Sequence, residues 1–145
     1  MAGPFDGSEL DFWLGTWDVS WESGHGTNRL ERILDGAVIH EQFAESDDGS
    51  AGGVLLGESW SVFEPARALW RQTWVDNAGG YLDLVGARVD GWFAFVRDAP
   101  ERGEHARQRM VFRDVEPERF RWTWELSLDA GATWEVRWEI AYRRA

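Results

Sequence analysis

The sequence predicts an all-β fold, a single up-and-down antiparallel barrel of about ten strands, and three observations predict it. Apolar and polar residues alternate with a period of two in one segment after another, the mark of a half-buried strand. Short turns rich in Gly, Asp and Pro join the segments, which favours sequential hairpins over the alternative, a β-sandwich. Eleven Trp residues stand in a chain of 145, and each covers roughly 150–250 Å2 when packed, so the interior must be wide. Closing such a sheet on itself removes its edges.

Taken in order, residues 1–7 read as a loose leader, with neither the basic region nor the apolar stretch of a signal peptide. Ser8 is placed to start a short helical turn whose Leu10, Trp13 and Leu14 share one face. An irregular apolar plug is an equal reading of that stretch. Gly15 stops it, and strand one (16–23) sets Trp17, Val19 and Trp21 against Thr16, Asp18, Ser20 and Glu22. Residues 23–27 read as a tight connection, and strand two spans 28–34. Asp35-Gly36 turns the chain into strand three (37–45), and a polar loop from Ser46 to Ser50 with the glycines beyond it leads to strand four (54–63).

Glu64-Pro65-Ala66-Arg67 has Pro at the second position of a β-turn. Strand five (69–76) follows, then the turn Asn77 to Gly80. Strands six (81–89) and seven (92–97) flank Asp90-Gly91, a strong hairpin signal. A charged loop (98–104) precedes strand eight (105–115), and Glu116-Pro117 repeats the earlier Pro turn. Strands nine (120–128) and ten (134–143) flank Asp129 to Thr133. No linker interrupts this series, so residues 1–145 form one domain.

The alternation also sorts inside from outside. Strand ten puts Trp134, Val136, Trp138, Ile140 and Tyr142 inward, and strand nine does the same with Phe120, Trp122, Trp124 and Leu126. Strand five carries Gln72 and Asp76 inward with Trp70 and Trp74. Strand three buries more apolar area if Ile39 and Phe43 face in, which brings Glu41 with them. Strand eight points Gln108, Met110 and Phe112 inward and its arginines outward, with Arg109 expected to be solvated rather than buried against Glu125.

Composition excludes several partners. The net charge is −11, and every basic residue is Arg; clustered positive charge for nucleic acid or an anionic membrane is missing. No cysteine is present, so disulfides, thiolate nucleophiles and Cys-based zinc sites are excluded. No run approaches the roughly 20 apolar residues of a membrane span. The expectation is a soluble cytoplasmic protein, with a homodimer left open.

Together the segments resemble an uncharacterised lipocalin-like (calycin-type) bacterial family that opens on a Phe-Asp-Phe-Trp-x-Gly-x-Trp-like stretch. The residues that carry the resemblance are Asp11 to Trp17, Gly26-Thr27-Asn28, Ile33 to Gly36, Glu41 with Phe43 and Trp70 to Asp76. Asp90-Gly91, Glu125 to Ser127, Asp129 to Trp134 and Tyr142 to Arg144 continue it. The wider lipocalin resemblance rests on Gly15-Thr16-Trp17. It implies that Trp17 packs at a closed barrel end against Arg143 or Arg144, and that the other end is open to a small apolar or amphipathic ligand. It implies no established reaction. Trp122 stands where relatives often carry Gln, and Ala130 where they carry Gly, so no ligand preference carries over. The short 23–27 connection leaves no room for the helical lid of fatty-acid-binding proteins.

The favoured function is therefore a barrel that binds a small hydrophobic or aromatic molecule in a Trp-lined cavity. Its ligand-binding residues are expected to be Glu41, Phe43, Trp60, Gln72, Trp74, Trp122, Trp124 and Trp138. The first alternative is an enzyme of isomerase or cyclase type, with Glu41, Asp76 or His40 as proton-transfer groups on a small apolar substrate. Each of these has a plainer reading as a rim charge or satisfied strand residue. The second alternative is a barrel plugged by its Trp residues that serves as an assembly module. The three histidines lack metal-ligand spacing, so no metal or cofactor is expected; for haem, His40 is the sole candidate ligand.

Overall fold

The alternating segments form ten antiparallel strands in the computed structural model, which describes residues 5–49 and 52–145. They are β1 (Gly15–Trp21), β2 (Gly24–Ile33), β3 (Val38–Glu45), β4 (Leu56–Glu64) and β5 (Leu69–Asp76). The second half holds β6 (Tyr81–Val89), β7 (Trp92–Asp98), β8 (Arg107–Arg113), β9 (Arg119–Ser127) and β10 (Glu135–Arg144). Each strand pairs with its neighbour in sequence, and β1 pairs with β10 to close the barrel. The expected ten-stranded up-and-down barrel is the observed fold. Residues 1–4 of the expected leader and Ser50 of the polar loop lie outside the described residues.

Two details, one of a strand and one of the N-terminal turn, differ from expectation. β2 begins at Gly24 rather than 28, pairing from Trp21↔Gly24 onward. The Gly-His-Gly run has the composition of a turn, but it is built into the ladder, and Gly26 and Asn28 become inward residues. The helical turn is a 3-10 turn at Asp11–Trp13 with Leu10 at its N-cap. Ser8 does not cap it through its side chain; its Oγ donates to Asp6 Oδ1 at 2.6 Å.

The third difference is larger. The β9–β10 register shifts between Val136 and Trp138, so Val136 pairs with Glu125 while Trp138 pairs with Trp124. This bulge adds one residue to β10 and reverses the facing of everything before it. Trp138, Ile140 and Tyr142 point inward as expected, but Val136 is 52% exposed. Trp134 stands outside as well, its indole N–H donating to the Gly131 carbonyl and its ring lying 3.9 Å beneath the Arg109 guanidinium. The preceding turn is held by Asp129, which accepts from the Thr133 amide at 2.8 Å and from the Ser127 and Thr133 hydroxyls. Led by the Thr133 hydroxyl, these bonds draw the Asp129 carboxyl down to about 2.

Under Trp134 and Arg109 lies a carboxylate expected to be solvated. Glu125 is 2% exposed, gripped by Arg109 Nε and Arg113 Nη2 at 2.8 Å each and by the Thr123 hydroxyl at 2.7 Å. Burial works against its charge, but these donors outweigh it and hold its carboxyl below the ordinary value. The pair is a buried bridge on the outer face, because the aromatic cover that the bulge turns outward excludes water from it.

One end of the barrel is closed by the N-terminal segment. Trp17 is fully buried, donates its indole N–H to the Trp13 carbonyl at 2.9 Å, and carries the Arg144 guanidinium 3.9 Å over its ring. Of the two expected arginines it is thus Arg144 that stacks. Its other nitrogens donate to the carbonyls of Phe12, Leu14 and Pro117. Gly15 sits at φ +118°, and a Cβ there would meet the guanidinium, so only glycine admits the arginine. Around this anchor Leu10, Trp13, Phe93, Phe112 and Phe120 fill the closed half, with Trp13 edge to face on Phe112 and Trp17 edge to face on Phe120.

A Trp17→Ala substitution should lower stability by about 3–5 kcal/mol, the range for a large buried aromatic. Arg144→Lys, which keeps the charge but loses the planar fork, should cost about 1–3 kcal/mol. Urea unfolding of the two variants checks both. Unchanged midpoints would show that the closed end does not depend on this contact.

Candidate functional site

The strands run so that the other end of the barrel is bounded by the segments after β1, β3, β5, β7 and β9. There the aromatic filling stops. A cavity of about 180 Å3 remains, walled by Phe43, Trp74, Trp122, Trp124 and Trp138, with Leu55, Leu82, Met110 and Ile140 between them. Trp122 and Trp124 lie nearly parallel at 6.5 Å, and Trp138 meets Trp122 edge-on at 5.7 Å. Gly57 on the inner face of β4 lets the Trp74 ring lie flat on that strand, where any Cβ would collide with it. The volume falls below the roughly 300–1,000 Å3 of sites for drug-sized ligands. It is close to the ~150 Å3 apolar cavity that admits a benzene ring.

Three polar side chains join the lining: Glu41, Asp76 and Tyr142. Glu41 lies halfway along β3 and is 6% exposed. Its Oε2 accepts from the Asn28 amide at 2.7 Å, and its Oε1 from the Ser59 hydroxyl at 2.6 Å. Asn28 Nδ2 also donates to the Tyr142 hydroxyl at 2.8 Å, linking β2, β3, β4 and β10 across the barrel. Burial pushes the Glu41 carboxyl above its ordinary value of 4.5, and the bonds from Ser59 and Asn28 and the nearby His40 only moderate this. Burial likewise carries the Tyr142 phenol well above its ordinary value, with the Glu41 charge adding to it.

Asp76 behaves oppositely. Burial opposes its charge, yet the Trp74 indole N–H at 2.8 Å and the Gly80 and Ala78 amides at 2.9 Å hold it below its ordinary value. One wall of the cavity thus carries an ionised carboxylate, and the base of the cavity carries one that resists ionisation.

Of the residues expected to bind ligand, Glu41, Phe43, Trp74, Trp122, Trp124 and Trp138 come together around the cavity. Gln72 faces inward but does not reach it; buried on β5, it donates to the Ser61 hydroxyl at 3.0 Å. Trp60 does not reach it either. Ser59 and Ser61 take the inner face of β4, which leaves Trp60 outside and stacked 5.1 Å from the His40 ring. His40 is outside too, its Nε2 2.6 Å from Glu58 Oε1. It therefore offers neither an interior proton-transfer group nor an interior haem ligand. Asn28, Ser59, Leu82 and Tyr142 were not foreseen as site residues. Strict alternation from Gly24 through β2 would have found Asn28.

Charged hollows also run over the outer surface, such as the one of about 380 Å3 between Asp18, Arg119, Arg121 and Arg143. Arg119 and Arg121 there are already paired with Glu116 and Asp114. Among the described residues no group of three or more His, Asp or Glu is arranged to hold a metal ion, and no helix is long and apolar enough to cross a membrane.

The raised Glu41 carboxyl makes stability depend on pH in a definite direction. Above 4.5 the unfolded chain releases this proton while the folded chain keeps it, so wild-type stability falls by up to about 1.4 kcal/mol per pH unit until the folded group ionises. Glu41→Gln removes that slope. Its melting temperature relative to wild type should rise as pH increases from about 4.5, and a constant difference across pH would contradict the buried acid.

No protein-family model matches the chain, and no curated protein matches it.

Proposed function

We propose that this chain is a cytoplasmic lipocalin-like barrel that takes up a small, mainly apolar molecule of about one ring in the Trp-walled cavity. The observation that carries this reading is the unfilled space itself. The closed half is packed by edge-to-face aromatics, whereas in the other half five aromatic side chains surround about 180 Å3 and leave it free. Packed interiors do not keep such space without cost, since an empty cavity forfeits the dispersion contacts of its lining. Aromatic walls that are rigid at two torsions lose little entropy when a flat ligand slides between them.

A second reading, an isomerase-type enzyme, is favoured by one observation: two carboxylates in the same cavity have their proton affinities pushed apart, Glu41 upward and Asp76 downward. That is the pattern by which one site holds an acid and a base together. The plugged-barrel alternative accounts for the closed half alone.

A panel of one- and two-ring aromatics, read by quenching of Trp fluorescence, tests the binding reading. One-ring compounds should quench saturably and two-ring compounds should not. Leu82→Trp, which fills the space, should abolish the quenching at a cost of about 1–3 kcal/mol in stability. Absence of saturable binding by every compound would overturn the reading; chemical change in a bound compound would move it to the enzyme.

A further inference from the structure

The polar character of the cavity is one-sided. Its lining holds two carboxylates and a phenol, with no arginine or histidine among the described lining residues. Two of the buried polar atoms left without a partner lie on the inner faces of β2 and β5, Asn28 Oδ1 and Gln72 Oε1, and both are acceptors. The orphaned donor, Trp13 Nε1, belongs to the aromatic plug at the closed end. What the described lining of the cavity lacks is positive charge.

The walls point the same way. Five aromatic rings, those of Trp74, Trp122, Trp124, Trp138 and Phe43, line the space, and an aromatic face turned to a bound molecule presents negative π-density to it. A cation enclosed by such faces gains attraction beyond that of a neutral molecule of the same shape. Asp76 is ionised at the rim, and its oxygens are taken by Trp74, Ala78 and Gly80, so it supplies field rather than contact. Glu41 at the base is the contact group. It faces Asn28 from β2, Ser59 from β4 and Tyr142 from β10, and none of these brings a positive charge. The net charge of −11 adds long-range attraction for cations.

We propose that the cavity selects a small organic cation, a protonated amine carried on an apolar body of about one ring, with the ammonium against Glu41 and the ring between the Trp faces. This rests on the reading of the cavity as a ligand site and narrows it to a chemical class. A neutral ligand would bring no charge to the two carboxylates of the lining. An anion would meet two carboxylates and the π-faces. A longer amine would exceed the volume.

The test uses three probes of one shape and different charge on the unaltered protein: benzylamine, protonated at neutral pH, benzyl alcohol and benzoate. Titration calorimetry at pH 7 should show benzylamine binding about tenfold or more tighter than benzyl alcohol, with benzoate weakest. Leu82→Trp should abolish the benzylamine signal, which separates the cavity from the acidic surface. In Glu41→Gln the preference for amine over alcohol should fall to near unity while the alcohol still binds. Should this variant fail to fold, the charge series on the wild type decides alone. Benzyl alcohol or benzoate binding as well as the amine, a signal that survives Leu82→Trp, or a preference unchanged in a folded Glu41→Gln protein would overturn the cation. Binding by none of the three also overturns it, and the wider aromatic panel then judges the ligand site independently.

Discussion

The contact on which the barrel depends is the stacking of Arg144 on Trp17. A ten-stranded barrel is wider than side chains from its own strands can fill, the limit being about eight strands. One end must therefore be plugged by another segment, and that segment must be held. Arg144 does both tasks at once. Its guanidinium covers the Trp17 ring, and its N–H groups take the carbonyls of Phe12, Leu14 and Pro117. The last strand is thereby fastened to the first and to the 3-10 turn, where the β1–β10 ladder closes the sheet. A planar cation with several fixed donors is suited to this; a flexible ammonium is not.

From that fixed floor the interior divides by chemistry. The plug brings Leu10 and Trp13 into the closed half, where phenylalanines of β7, β8 and β9 finish the packing. Among the described residues no segment enters from the opposite end far enough to do the same, and the aromatic side chains there line a space. Between the halves runs a polar belt: Asn28, Glu41, Ser59, Ser61, Gln72 and Tyr142, all buried. Polar groups at such depth are destabilising unless satisfied, and this belt is satisfied mainly by its own members. It sets the depth to which a ligand can descend.

The fold was legible in the sequence because it depends on alternation and turn chemistry, both local. The inward placement of Glu41, Phe43, Trp74, Trp122 and Trp124 followed from the same periodicity. What was not legible depends on single-residue irregularities. One extra residue between Val136 and Trp138 turned Trp134 and Val136 outward, and period-two reasoning has no means of placing a bulge. Trp60 misled for a related reason. Large aromatics are assumed to face inward, yet the neighbouring serines take the inner face of β4 because Glu41 and Gln72 need hydroxyl partners there. The burial of Glu125 follows from the bulge as well, since Trp134 covers Arg109, one of the two arginines that hold it.

Two carboxylates in this barrel are buried and a third, Asp76, is half-buried at the rim, and their partners differ in a way that locates the site. Glu125 is paired with two guanidinium groups, so its charge is answered within the protein. Asp76 has no cation but collects three N–H donors, enough to keep it ionised. Glu41 has one amide and one hydroxyl, and those do not offset its desolvation. A hydrophobic residue at that position would remove the penalty, as replacement of buried charged groups often does. A glutamate that instead projects from the belt into an aromatic-walled space, with only neutral hydrogen-bond partners, is placed where an incoming molecule can supply what the fold withholds. Of the three, it is the carboxylate whose chemistry is left open.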